Sequence, residues 1–294
     1  MDIRQLKTFL TIAHVHSFTQ AAQNLGYAQS TITTHIQLLE QELDVKLFDR
    51  LGHSITLTSA GNKLLPFAEQ AVKLMDEAKL AVEHERELGG LISIGAVESL
   101  CVVRLPRILQ EYRLRYPNVE LSLKFGSTSD FLTALKDNTI DIAFLLDKKL
   151  NQTDLVTEID QPEPFGVFVS PEYPLADRAE VYPEDLNGRA LVLTEPECSY
   201  RHLFEAMMTE FGVKPQSTIE TGNVQTIKQL VMSGMGVTLL PLIAVGQECR
   251  EGRLVQLNWR GPAFALQTQV IRHKNKWISP SLKAFIDLLH EMEF

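Results

Sequence analysis

The chain has 294 residues, 45% of them hydrophobic and 22% charged, and 28 Lys+Arg stand against 37 Asp+Glu for a net charge of −9. That length can bury more than one core, and the composition is that of an ordinary folded, modular protein. No charged-then-apolar leader opens the chain and its longest apolar run, Gly236 to Gly246, is too short to cross a bilayer, so cytoplasmic residence without membrane contact is expected. Cys101, Cys198 and Cys249 form no C-x-x-C pair, which argues against a disulfide scaffold or a zinc site.

The first informative segment is SFTQAAQNLGYAQSTITTHIQLLEQELDVKLFDRLGHSITLTSA, residues 17–60. Ser17 and Gln20 make an S-x-x-Q box that satisfies orphan amides at a helix start, and Gly26 stands where a left-handed residue closes the helix. The spacing predicts a helix over 18–25. After a three-residue turn, Ile32, Ile36, Leu39 and Leu43 recur at intervals of four, three and four, so one face of a second helix is apolar and buried. Ser30, Thr33, Thr34 and Gln37 fall on the opposite face. Short hydrogen-bonding side chains on a free helix, held across a shorter helix by a tight turn, suit a DNA major groove. Within 47–58, Gly52-His53 separates two β-prone runs and fits a two-residue hairpin turn with glycine first. Helix-turn-helix plus hairpin makes a winged module; the plainer reading is a helical hairpin whose polar face only meets water.

This run resembles the DNA-binding domain of LysR-type transcriptional regulators. The family pattern F-x-x-A-A-x-x-L, a turn, then S-x-x-I-x-x-L-E-x-x-L-x-x-x-L-F-x-R is met by Phe18, Ala21, Ala22, Leu25, Thr33, Ile36, Leu39, Glu40, Leu43, Leu47, Phe48 and Arg50, and the closing L-T-x-A-G by Leu57 to Gly61. Residue pattern and resemblance together point to Phe18, Gln29, Ser30, Thr31, Thr33, Thr34, His35, Gln37, Arg50 and His53 as the residues at double-stranded DNA. Three departures stand out. Ala28 replaces the usual capping Ser, a loss of about 1 kcal/mol; Thr34 and Gln37 occupy places often held by Arg; and Asp44 takes a turn position usually given to Gly, which Asp tolerates at positive φ. Charge opposes DNA binding: residues 1–60 hold Arg4, Lys7, Lys46 and Arg50 against Asp2, Glu40, Glu42, Asp44 and Asp49. Helix N-termini, hydroxyls and a doubled set of contacts in a dimer are expected to compensate, with a shallow salt dependence.

From Gly61 to about Glu87 a single long helix is expected, with Leu64, Ala68, Ala71, Met75, Ala78 and Val82 in a heptad stripe suited to pairing with a second copy; the alternative is packing on the chain's own following domain. Gly89-Gly90 then marks a boundary. Apolar β-prone runs follow at residues 91–97, 119–125, 141–146, 165–169, 190–194, 236–240 and 266–271, with helical patterns at 100–115, 128–136, 200–211, 224–233 and 280–291. Such alternation argues for parallel sheets faced by helices, in two α/β lobes. LPRILQEYRLRYPNVELSLKFGSTSDFLTALKDNTIDIAFL and IKQLVMSGMGVTLLP resemble the LysR-type effector domain, itself similar to type 2 periplasmic binding proteins. The expected organisation is an α+β multidomain chain. It has a winged helix-turn-helix at 1–60, a linker helix at 61–88 and a two-lobed effector domain at 91–294, lobe I about 91–162 with 268–294 and lobe II about 163–267. The resemblance implies a homodimer, or dimers paired into a homotetramer.

In open α/β sheets a ligand binds beyond the carboxyl ends of strands, against helix N-termini. That rule selects Ser99 and Leu100, Ser127 and Thr128, Ser199 and Tyr200, and more weakly Asn223, whose hydroxyls and free amides suit a carboxylate or other small anion. The resemblance agrees, since family members bind inducers through hydroxyls at the positions of Ser99 and Thr128. Read locally, the same residues are simple helix caps. Cys198, beside a helix start and Arg201, carries a redox-sensor reading if its thiol is acidified, and a small buried residue otherwise. H-E-x-x-H, G-x-S-x-G, P-loop and dinucleotide patterns are absent, so neither an enzyme nor a cofactor is expected. The readings to be separated are a ligand-responsive regulator, its redox variant, and a small-molecule receptor that leaves residues 17–60 without a task.

Overall fold

The computed structural model of the chain describes residues 1–51, 54–82 and 88–292. Two compact units divide near residue 86. The first opens with α1 (Ile3–Val15), which carries the complete reciprocal cap: Asp2 accepts from the Gln5 amide at 2.9 Å and the Gln5 side chain accepts from the Asp2 amide at 2.8 Å. α2 (Phe18–Leu25) shows half of the box expected for it, Ser17 Oγ accepting from the Gln20 amide at 3.3 Å, and closes on Gly26 at φ +68°. α3 (Gln29–Leu43) starts at Ala28 with no side-chain cap and ends on Asp44 at φ 52°. β1 (Phe48–Leu51) and β2 (Ser54–Leu57) pair antiparallel with Leu51 opposite Ser54. The expected turn residues Gly52 and His53 lie outside the described residues. α4 (Ser59–Val82) begins under Thr58, whose hydroxyl accepts from the Gly61 amide at 3.0 Å.

Burial explains how α3 is mounted. Ile32, Ile36 and Leu39 enter a core centred on Phe9, Phe18 and Phe48, with ring centroids 5.4 Å apart for Phe9–Phe48 and 5.9 Å for Phe18–Phe48. Leu43, expected on that apolar face, is exposed. Glu40 takes the inward place in the last turn, accepting from the Leu47 amide at 2.9 Å and from Lys46 Nζ at 2.6 Å, which ties α3 to the start of the wing. The stripe on α4 also divides: Ala68 is buried and Leu64 packs on the same core, whereas Ala71, Met75 and Ala78 are exposed beside Phe67 (67%) and Leu74 (62%).

The second unit runs β3 (Gly90–Ala96), α5 (Glu98–Val103), α6 (Leu105–Arg115), β4 (Val119–Phe125), α7 (Thr128–Lys136), β5 (Ile142–Asp147), β6 (Leu155–Glu163), β7 (Phe165–Val169), β8 (Ala190–Leu193), α8 (Ser199–Glu210), β9 (Ser217–Glu220), α9 (Val224–Met232), β10 (Thr238–Pro241), α10 (Leu242–Arg250), β11 (Val255–Gln256), β12 (Leu266–His273) and α11 (Pro280–Glu291). The helix expected over 100–115 is broken at Arg104, just before Pro106, which has no N–H to donate. One sheet has the order β4-β3-β5-β12-β6; a second has β10-β7-β11, and the β8-β9 pair is bridged to it through Leu191 and Val237.

The five-stranded sheet is mixed and the three-stranded sheet antiparallel, in place of the parallel sheets expected. β3 runs parallel to β4 and β5, but β12 is antiparallel to both β5 and β6, and β7 is antiparallel to β10 and β11. The reason is a double crossing: the chain leaves the five-stranded sheet after Glu163 and returns along β12, so the incoming strand pairs with the outgoing one. Glu163, buried at that crossing, accepts from Arg104 Nη2 at 3.0 Å and Thr268 Oγ1 at 2.7 Å. Arg104 lies at the break before α6 and Thr268 on β12, so one carboxylate fastens three segments at the point where the lobes join.

Candidate functional site

On the first unit, Gln29, Ser30, Thr34 and Gln37 are exposed along one face of α3, and Thr31, Thr33 and His35 are half-buried beside them. Thr33 and Thr34 donate their hydroxyl protons one turn back, to the carbonyls of Gln29 and Ser30, both at 2.9 Å, and keep acceptor capacity outward. His35 is turned toward the protein: its Nδ1 shares a hydrogen bond with the buried Thr8 hydroxyl at 2.9 Å, and its ring meets Tyr27 edge-on at 5.5 Å. Phe18 does not reach this surface, because the first residue of α2 is the one that fills the aromatic core. His53 and the Arg50 side chain lie outside the described residues. One cation that the helix pattern did not single out is Arg4, on α1, which lines a shallow depression together with Ser30, Thr31 and Thr34.

The second unit holds a cavity of about 800 Å³ between the ends of its two sheets, and Ser99, Ser127, Thr128, Ser199, Tyr200 and Asn223 all line it. Leu100 does not. One step along α5 rotates a side chain by about 100°, and Leu100 is wholly buried in the core. Three hydrogen-bonded bridges cross the cavity. Ser99 Oγ lies 3.5 Å from Tyr200 Oη. Ser199 Oγ donates to Asp147 at 2.6 Å. Glu98 accepts from the Val224 amide at 2.7 Å and from Asn223 Nδ2 at 3.0 Å. On the near wall, Ser127 donates to Asp130 through its hydroxyl at 2.6 Å and its amide at 2.9 Å, which holds the Asp130 carboxyl below the usual carboxylate range.

Charge in this lining differs from the anion expected from the hydroxyls. Glu98, Asp130, Glu195 and Glu197 line the cavity and no Lys, Arg or His does among the described residues. Burial raises the Glu98 carboxyl, and the neighbouring Glu195 adds to the shift, against the Val224 amide, which lowers it. Cys198 corrects a second expectation: burial pushes its thiol up, more than the Thr194 hydroxyl and the Arg201 and Tyr200 amides pull it down. The Arg201 guanidinium is committed elsewhere, to Glu205 at 2.8 Å, Glu220 at 2.7 Å and the Thr194 carbonyl, so its charge does not acidify the thiol. The redox-sensor reading is not favoured.

A helix-turn-helix with a β-hairpin wing, followed by a two-lobed domain with a lined cleft, defines a ligand-responsive DNA-binding protein. Residues 3–62 match the family model for the bacterial regulatory helix-turn-helix protein of the LysR family, and residues 85–293 match the LysR substrate binding domain. Among curated relatives, the chain is 38% identical to the uncharacterized HTH-type transcriptional regulator YwqM of Bacillus subtilis, over 98% of both chains, and 32% identical to the HTH-type transcriptional regulator GltR of the same organism, over 97% of this chain and 95% of that one. Among solved structures, a full-length OxyR variant from Pseudomonas aeruginosa superposes with a TM-score of 0.72 at 22% identity, covering 99% of this chain and 95% of the other. Full-length CbnR complexed with its target DNA gives 0.71 at 21% identity, covering 99% of both. The chain belongs to the LysR family of helix-turn-helix transcriptional regulators.

Proposed function

We propose that this regulator reads double-stranded DNA as a homodimer, through Gln29, Ser30, Thr31, Thr33, Thr34 and Gln37 on α3, together with Arg4, Arg50 and His53. The observation that carries the reading is the division of α3 itself: a hydroxyl- and amide-bearing face open to solvent, and an opposite face fixed in the Phe9, Phe18 and Phe48 core. A helix mounted in that way presents hydrogen-bonding groups to base edges without moving its scaffold. The exposed Phe67, Ala71, Leu74 and Ala78 on α4 keep intervals of four, three and four and supply the face for a second copy. Two such dimers pairing into a tetramer extend the same arrangement.

The cleft is the effector site, with Ser99, Ser127, Thr128, Ser199, Tyr200 and Asn223 in its wall. The bridges from Ser99, Asp147 and Glu98 to the far lobe make a closed arrangement; a ligand acts by preferring either that arrangement or an opened one, and so changes how the paired modules are spaced on DNA. The protein works in the cytoplasm and carries out no chemistry on its ligand. The test is footprinting with the full-length protein on duplex selected from random sequence. Gln37→Ala is expected to weaken protection about tenfold to a hundredfold with an unchanged circular dichroism spectrum. Absence of any protected duplex at low or high salt ends the reading.

A further inference from the structure

The cleft wall is rich in hydrogen-bonding groups, yet several of those that suit an anion are already used within the chain. The Ser127 amide and hydroxyl are taken by Asp130, the Ser199 hydroxyl by Asp147, and the start of α9 by Glu98. Lys228, the cation nearest in sequence to that helix start, is buried and spent on Glu248 at 2.8 Å and the Ala244 carbonyl at 3.0 Å. An incoming carboxylate would therefore meet Glu98, Asp130, Glu195 and Glu197 with no positive charge in the wall to offset them.

Two further features point to what the wall accepts. Thr194 lines the cavity, is 6% exposed, and its hydroxyl makes no hydrogen bond to another nitrogen or oxygen. With its proton turned to the Cys198 sulfur, that hydroxyl keeps its lone pairs as an acceptor for an N–H donor. Glu195 lies over Gly222, where an added Cβ would stand 2.2 Å from its carboxylate oxygen. The bare glycine thus lets this carboxylate settle beside the Asn223–Val224 stretch that Glu98 holds, so like charges gather at one end of the cavity. Among the described residues no three of His, Cys, Asp or Glu are grouped to hold a metal ion, and the cavity of about 800 Å³ has the size of a small-molecule site.

Resting on the reading of the cleft as the effector site, we infer that its ligand is a small organic cation bearing an ammonium or guanidinium group, held by Glu195 and Glu197 and donating to Thr194. The test is calorimetric titration of the full-length protein with agmatine and 1,4-diaminobutane, and with succinate as a carboxylate of similar size. The expected result is binding of an amine, none of succinate, and at least a tenfold loss of amine affinity in the double variant Glu195→Gln, Glu197→Gln. A control pair outside the wall, Glu184→Gln with Glu210→Gln, is expected to leave affinity unchanged. Succinate binding in place of the amines overturns the charge assignment and leaves the cleft an effector site. Equal amine affinity in the Glu195, Glu197 variant, or equal loss in the control pair, overturns it as well. If none of the three compounds binds, the inference of an organic cation is overturned, and the effector reading of the cleft, which covers other ligands, stands.

Discussion

The outer face of α3 and the wall of the cleft are furnished with the same kinds of residue, serines, threonines and amide side chains at helix starts. They differ in what those groups already touch. On α3 the threonine hydroxyls bond only to carbonyls one turn back, so Ser30, Thr34 and Gln37 remain exposed. In the cleft, Ser199 and the Val224 amide are engaged by carboxylates 52 and 126 residues away in the chain. A hydroxyl's availability is therefore settled on α3 by its own helix and in the cleft by the meeting of two lobes. What looks like a set of docking points in the second place is, in large part, the fastening that holds the cleft shut.

Perturbing each surface and what lies under it makes this contrast measurable. Phe48→Ala, beneath α3, removes a buried ring that touches Phe9 and Phe18 and is expected to cost about 3–5 kcal/mol. The thermal midpoint of the first unit should fall and DNA affinity with it, whereas Gln37→Ala on the outer face lowers affinity alone. If Phe48→Ala melts like the parent, α3 is not mounted as described. Next in size, Ser199→Ala takes the donor from Asp147 and is expected to destabilise the second unit by about 1–3 kcal/mol in urea unfolding. Ser30→Ala, exposed on α3, is expected to stay within about 0.5 kcal/mol of the parent; equal effects would erase the distinction between the two surfaces.

The smallest effect concerns pH. Asp130 is held below the usual carboxylate range chiefly by the Ser127 hydroxyl and amide. A depressed carboxyl adds stability above its unfolded value, and that stability is lost as pH falls through the lower folded value. Unfolding midpoints should therefore drop slightly more on acidification in the parent than in Asp130→Asn. Because Asp130 is exposed, the difference is small, and a larger acid loss in the variant than in the parent would contradict the assignment.

Much of the first unit could be read from residues in order, because its signals are local: a cap at Ser17, a left-handed glycine at Gly26, a repeat of three and four along α3. α1 carries the same kinds of signal, Asp2 and Gln5 before Leu6, Phe9 and Ile12, but lies ahead of the winged motif that begins at Ser17. The second unit hid what depends on distant partners. β6 contains Pro162 and polar residues throughout and exists as an edge strand because β12 comes back to pair with it. β9 and β11, of four and two residues, are too short to give a period. α10 starts inside the apolar run 236–246, where Pro241 ends a strand and caps the helix, and continues to Arg250. Phe18 and Leu100 both face a core: Phe18, first residue of α2, fills the aromatic cluster, and Leu100 stands one step along α5 from Ser99, which lines the cavity. The carboxylates of the cleft, from segments far apart in the chain, gain a common meaning only when folding brings them around one cavity.

Glu163 and Leu266 face each other as partners across β6 and β12. Residues 164–265 therefore depart from the five-stranded sheet and rejoin it at a single place, as an insert whose two ends adjoin. Half of the cleft, including Glu195 and Glu197, travels with that insert, while Ser99, Ser127 and Thr128 stay behind. Such an insert can be exchanged at its two adjoining ends, which would replace one side of the cavity and leave the other side and the helix-turn-helix unit in place.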